Sequence, residues 1–226
     1  AGMVAPRMAT VFGFFVTDAA IEPSLLQTIF SRVMDRTINR VTVDGDTSTN
    51  DTACILASGG SGISRITPDT PDTPAAEQFE AGLSALAERL ARKLARDGEG
   101  ANHLITVRVK GTRDEADAET IALSIANSPL VKTAIFGRDA NWGRIAMAAG
   151  RAGIPFDQER VDIFLNGIAV ARAGMRQPFD ETQMRAQLEQ DEITIEVHLN
   201  AGDGEAVAWT CDFSYDYVKI NAEYHT

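Results

Sequence analysis

The sequence predicts a mixed α/β fold whose last third is a largely antiparallel sheet. Three observations carry this: one strongly amphipathic helix near the middle, an alternating strand directly after it, and a final third of β-rich segments joined by Asn-Gly and Gly-Asp-Gly turns. With 226 residues, 44% of them hydrophobic and 23% charged, the composition suits one large globular domain or two small ones.

Taken in order, Val11–Val16 (VFGFFV) is a short apolar run that reads as a buried strand, closed by Thr17-Asp18. Pro23 stands where a first helical turn tolerates it, and Leu25, Leu26, Ile29, Phe30, Val33 and Met34 follow at helical spacing. Val41-Thr42-Val43 is a short β-branched segment ending at the turn signal Asp44-Gly45. The polar run from Asp46 to Thr52 precedes the apolar ACILA, where a helix with a small polar cap is expected. Residues 59–76, with GGSG and three prolines, read as a surface loop and a candidate internal boundary. Glu77–Arg96 is the clearest helix, with Phe79, Leu83, Leu86, Leu90 and Leu94 on one stripe. Leu104–Val109 alternates as a half-buried strand does. Helical stretches follow from Asp117 to Ile125, from Val131 to Phe136 after the break at Ser128-Pro129, and from Trp142 to about Gly150. In the last third VDIFLNG, IAVARAG, EITIEVHLN, EAVAWTCDF and YDYVKINAEY are strand-like, with one helical interlude from Thr182 to Gln190.

Composition also narrows the function. The balance of 21 Lys+Arg against 32 Asp+Glu leaves a net charge of −11, which opposes a phosphate backbone, so nucleic acid is not an expected partner. No run approaches the ~18–20 apolar residues of a membrane helix. The start of the chain also lacks a basic segment followed by an apolar core, so a cytoplasmic protein with no membrane partner is expected. Cys54 and Cys211 are far apart and outside any CxxC pair, and both are expected to act as small buried apolar residues. The alternation Asp44, Asp46, Ser48, Asn50 spaces oxygens as a calcium loop does, but Thr49 stands where Gly is required and Ile55 where Glu is required. His103, His198 and His225 have no neighbours at ligand spacing, so no metal is expected. Gly60-Ser61-Gly62 lacks both a preceding strand and the third glycine of a dinucleotide loop.

By composition alone Met8-Ala9-Thr10 is unremarkable. In company with other runs it is not: GMVAPRMAT, TDAAI, VTVDGDTSTNDT, ARDGEGA, SPLVKTAIFGRDANWGRI and the terminal CDFSYDYVKINAEYHT, in order from Gly2 to Thr226, resemble the ornithine acetyltransferase family, also called the bifunctional glutamate N-acetyltransferases. The resemblance implies a layered α/β sandwich in which α and β chains interweave and assemble as an α2β2 heterotetramer. It implies self-cleavage between Ala9 and Thr10, so that residues 1–9 are the tail of the α chain and 10–226 the β chain. It further implies that Thr10 is the nucleophile in transfer of acetyl from N2-acetyl-L-ornithine to L-glutamate, releasing ornithine and N-acetylglutamate. In some members acetyl-CoA also serves as donor, and no resident cofactor is implied.

The chemistry suits the residue. A hydroxyl beside a peptide carbonyl can capture it by an N-to-O shift, and the freed α-amine, with a reference pKa of ~7.7–8.0, can then take the hydroxyl proton. Carried over motif by motif, substrate binding falls on Thr10, Glu99 in DGEGA, Asn221, and the terminal Thr226. The family's oxyanion donors, a Thr-Gly pair worth roughly 3–4 kcal/mol per donor in comparable enzymes, and its binding lysine and a further threonine correspond to positions before Ala1. The chain thus corresponds to the β chain with nine α residues still attached, and with Ala9–Thr10 intact it is expected to be inactive. Asn141-Trp142-Gly143-Arg144 matches a family run without an assigned catalytic role. Two other readings stay open: a related amidohydrolase that releases the acyl group to water, and a non-catalytic partial chain.

Overall fold

The computed structural model describes residues 3–5, 12–47, 50, 52–68 and 74–224. Its elements are β1 (Phe12–Thr17), α1 (Pro23–Arg36), β2 (Thr52–Ala57), α2 (Pro74–Arg96), β3 (Leu104–Thr112), α3 (Glu115–Ala126), α4 (Pro129–Phe136) and α5 (Trp142–Gly150). There follow β4 (Asp162–Leu165), β5 (Ile168–Arg172), β6 (Met175–Arg176), α6 (Glu181–Gln187), β7 (Glu192–His198), β8 (Gly204–Cys211) and α7 (Tyr215–Glu223).

Six strands form one sheet in the order β6-β5-β4-β7-β3-β8, antiparallel throughout except for the parallel pair β3–β7. One face packs against α3 and α5 through Ile105, Val107, Val109, Ile163, Ile193, Ile195 and Val197. The opposite face meets α2 through Leu104, Trp209 and Cys211, which pack with Ala91 and Ala95. The N-terminal half of α2 (Ala76, Leu83, Ala87) packs with α1 and with Phe15 of the separate two-stranded sheet β1–β2. The expected mixed α/β layering, with a largely antiparallel sheet, is what the chain adopts.

The local signals explain the elements. Pro23 opens α1, and Asp114 and Ser128 accept backbone N–H groups at the starts of α3 and α4. Asn166-Gly167 and Ala173-Gly174 have positive φ at both positions and close the two-residue hairpins β4–β5 and β5–β6.

Five expectations need correction. ACILA is not a helix: it belongs to β2, pairing in parallel with β1 from Phe12–Thr52 to Thr17–Ala57, because the apolar β1 needs a ladder partner. YDYVKINAEY is not a strand: it forms α7, since Ser214 accepts the N–H groups of Asp216 and Tyr217 and starts a helix despite the β-favouring Tyr and Val. The Gly-Asp-Gly link makes no hairpin, because β3 lies between β7 and β8. Val41–Val43 contributes only a single bridge, Val41 to Trp209. Both cysteines are free, with Cys211 buried but Cys54 only half-buried on β2.

Candidate active site

Glu99 lies on the turn between α2 and β3, and the glycines on either side of it are sterically required. A Cβ at Gly98 would sit 2.6 Å from Cys211 Sγ and 3.1 Å from Val43 Cγ1. Gly100 has φ +67°, and a Cβ there would lie 2.5 Å from the backbone nitrogen of Tyr217. The turn is therefore pressed against the end of β8 and the first turn of α7.

Two further contacts fix that docking. Ser214 Oγ donates to the Gly100 carbonyl at 2.6 Å while capping α7. Asp212, fully buried, accepts from the backbone N–H groups of Asn102 and His103, both at 2.8 Å, and from the Asn102 amide at 3.2 Å. A buried carboxylate with three donors is compensated, so it can anchor the turn at modest cost.

As a result two residues 122 positions apart meet. Asn221 Nδ2 donates to Glu99 Oε2 at 2.8 Å and to the Tyr217 carbonyl at 2.9 Å. Asn221 is exposed and Glu99 half-buried, so the pair stands at the surface with carboxylate capacity to spare. Tyr217 stacks on Phe213, with ring centroids 4.3 Å apart, and its phenol is pushed above its ordinary pKa by burial and by the nearby carboxylates of Asp44, Asp46 and Glu99. The surroundings are acidic, suited to an ammonium group.

Across the same region run the residues before the Met-Ala-Thr motif. Val4 and Ala5 are buried; Val43 N–H donates to the Val4 carbonyl at 2.7 Å, and Val4 N–H donates to Asp44 Oδ1 at 3.1 Å. Asp44 also accepts from Asp46 N–H at 2.9 Å, tightening the Asp44-Gly45 turn, where Gly45 has φ +80°. Ala9, Thr10 and Thr226 lie outside the described residues, so of the sequence-derived site only Glu99 and Asn221 are described, and these two are in contact.

The motif reading passed over Lys132. It lies in the SPLVKTAIF run, is 1% exposed, and donates from Nζ to the Val43 carbonyl (2.6 Å) and to Thr210 Oγ1 (2.7 Å). Nζ also stands 4.0 Å from Cys211 Sγ and 4.3 Å from the centroid of the Phe213 ring. Burial lowers its pKa to about 8, and the charges of Cys211, Asp212 and Asp44 partly oppose this. Burial likewise raises the Cys211 thiol. A lone lysine in an otherwise apolar helical segment was the available signal. The neighbouring Asn141–Arg144 run is structural: Asn141 caps α5, and Arg144 Nη1 donates to the Leu130 carbonyl at 2.9 Å.

Among the described residues no group of three His, Cys, Asp or Glu is placed to hold a metal, and no helix is long and apolar enough to cross a membrane. A cleft of about 740 Å3 is lined by Phe12, Ala53, Leu90, Leu94, Arg96 and Asp97, and its lining includes neither Glu99 nor Asn221.

The layered α/β architecture defines the class of protein, an α/β protein whose last helix meets the turn after α2 through the Glu99–Asn221 pair. The family follows from comparison. The ArgJ family model matches residues 1–226, and the chain belongs to that family. It is 50% identical over 234 residues to the arginine biosynthesis bifunctional protein ArgJ of Synechococcus sp. and 45% identical over 228 residues to that of Agrobacterium fabrum. All of this chain is matched in both cases, but only 56% and 55% of those proteins, so the chain spans about half the length of the curated relatives it matches. A crystal structure of the arginine biosynthesis bifunctional protein ArgJ from Bacillus halodurans superposes with a TM-score of 0.91 at 44% identity. The match covers 95% of this chain and all of the solved chain.

Proposed function

We propose that this chain carries the nucleophile and part of the substrate pocket of an acetyltransferase that moves acetyl from N2-acetyl-L-ornithine to L-glutamate. The observation that carries the reading is the Glu99–Asn221 contact at 2.8 Å, which joins the two described substrate-binding candidates in a member of the ArgJ family.

In the first step the Thr10 hydroxyl captures the Ala9 carbonyl, and water hydrolyses the resulting ester, freeing the Thr10 α-amine. In turnover, Thr10 Oγ attacks the acetyl carbonyl of N2-acetylornithine while its proton passes to the α-amine of Thr10. The C–N bond breaks, the leaving ornithine amine takes that proton, and an acetyl ester remains on Thr10. The glutamate amine then attacks the ester; N-acetylglutamate departs and the hydroxyl is reprotonated. Glu99 is suited to hold the substrate ammonium and Asn221 to orient it, with Thr226 as a further contact. No resident cofactor takes part, and acetyl-CoA enters as an alternative donor.

The missing components, oxyanion donors and a binding lysine among them, are assigned to an α chain of the same precursor, the two assembling as α2β2.

Thr10→Ala in the complete protein should abolish both the cut, read by mass spectrometry, and acetyl transfer. Turnover in that variant would overturn the assignment. Supplying N2-acetylornithine without glutamate separates transfer from hydrolysis: a transferase stops after one acetyl per site, a hydrolase continues.

A further inference from the structure

Lys132 contacts neither Glu99 nor Asn221, yet both are seated on its partners. Its ammonium holds the Val43 carbonyl and Thr210 Oγ1 and stands against Cys211 Sγ. Val43 and Cys211 are the two side chains on which Gly98, the residue before Glu99, is packed. On its other side Nζ faces the Phe213 ring, which stacks on Tyr217, and the Tyr217 carbonyl holds the Asn221 amide. Val43, whose carbonyl accepts from Lys132, also donates its N–H to the Val4 carbonyl.

A fold has no need of this charge. A methionine would fill the same volume without the cost of a desolvated ammonium, so stability alone favours the apolar residue. What the ammonium adds is direction: two short bonds at 2.6 and 2.7 Å fix one carbonyl and one hydroxyl that an apolar side chain would leave free to shift.

We propose that Lys132 is a positioning residue for the transfer reaction, holding the turn that carries Glu99 and the helix that carries Asn221 in register through Val43, Cys211 and Phe213. The proposal rests on the acetyltransferase reading above. Lys132 acts through these neighbours alone: it fixes the placement of Glu99 and Asn221, the groups assigned above to the substrate amine.

The test uses the complete protein and counts active sites by the acetyl-Thr10 formed from radiolabelled N2-acetylornithine, so that misfolded material drops out of the rate. Lys132→Met should lower kcat per titrated site by about 100-fold, the loss that a displacement of about 1 Å produces in a positioned reaction. Thr210→Val should move it the same way by a smaller factor, and Thr210→Ser, which keeps the hydroxyl, should restore most of the rate. A wild-type kcat per site in Lys132→Met, with only fewer sites titrated, would make Lys132 mere scaffold and overturn the proposal. If Lys132→Met does not fold, equal kcat per site in Thr210→Val and Thr210→Ser overturns it instead. Absence of acetyl-Thr10 in the wild-type protein would remove the acetyltransferase reading and this one with it, an outcome distinct from a failure confined to the variants.

Discussion

The two sheets are built from similar residues and end in opposite situations. The six-stranded sheet buries one face completely: Ile193, Ile195 and Val197 of β7 are wholly buried in the cluster built with α3 and α5, while Thr194, Glu196 and His198 on the other face are half-buried. The parallel pair β1–β2 is just as apolar, yet Phe15, with Ile55 partly buried beside it, turns into the core, while Phe14 and Val16 are 69% and 79% exposed and Leu56 is 62% exposed. FGFFVT is the composition of a strand buried on both faces, and within this chain one face alone is covered, by α1 and α2. Apolar patterning records what a strand is built to bury, and only packing shows how much of that burial a given stretch of chain supplies.

Four measurements can break or sharpen this contrast. The largest effect is expected in the saturated sheet, where Ile195→Ala should cost about 3–4 kcal/mol by urea unfolding, the range for a core truncation that leaves a cavity. A cost below about 1 kcal/mol would mean the sheet is far less tightly packed than its burial implies.

Next comes the turn that joins the two regions. Gly100→Ala places a Cβ at positive φ and against the Tyr217 backbone, and should cost at least about 2 kcal/mol while separating Asn221 from Glu99. Thermal unfolding together with acetyl transfer would check it, and a variant with wild-type values in both would show that the turn does not set the pair.

A smaller effect comes from Lys132, which faces Asp44, Asp212 and Cys211. Its pKa of about 8 in the folded chain lies below its ordinary value of 10.5, so between these limits the unfolded chain binds the extra proton and stability rises with pH. From pH 8 to 9 the gain is about 1 kcal/mol. The raised Cys211 pKa acts in the opposite sense, so above pH 9 its contribution falls as pH increases. Lys132→Met should flatten the rise between pH 8 and 9 in denaturant titrations; an unchanged slope would assign it to other groups.

The smallest change in folding stability is expected on the open face. Val16→Thr should shift stability by no more than about 0.5 kcal/mol, while reducing self-association of the 226-residue chain in light scattering, because it interrupts an exposed apolar strip. A loss as large as that of Ile195→Ala would show that the face is covered in solution, which would erase the difference between the two sheets.

How far the site could be read from sequence differs residue by residue. Glu99 came from the family motif DGEGA, and only the structure shows that Gly98 and Gly100 beside it allow a close backbone approach. Asn221 came from the same source; its segment looks like a strand, and the Ser214 cap that makes it helical is a local hydrogen bond which competes with the β preference of Tyr and Val. Lys132 was legible as a residue out of place but not as a hub, since Val43, Thr210, Cys211 and Phe213 converge on it from distant parts of the chain.

The sequence by itself determined the α/β class, most helices, the Asn166-Gly167 hairpin and the family, because caps, turn glycines and periodicity act over a few residues and motifs are written in order. Tertiary structure alone decided that ACILA is a strand, that β3 separates β7 from β8, and that Glu99 meets Asn221 above a buried lysine. Those outcomes depend on which distant groups satisfy each other's hydrogen bonds, and no local pattern encodes that choice.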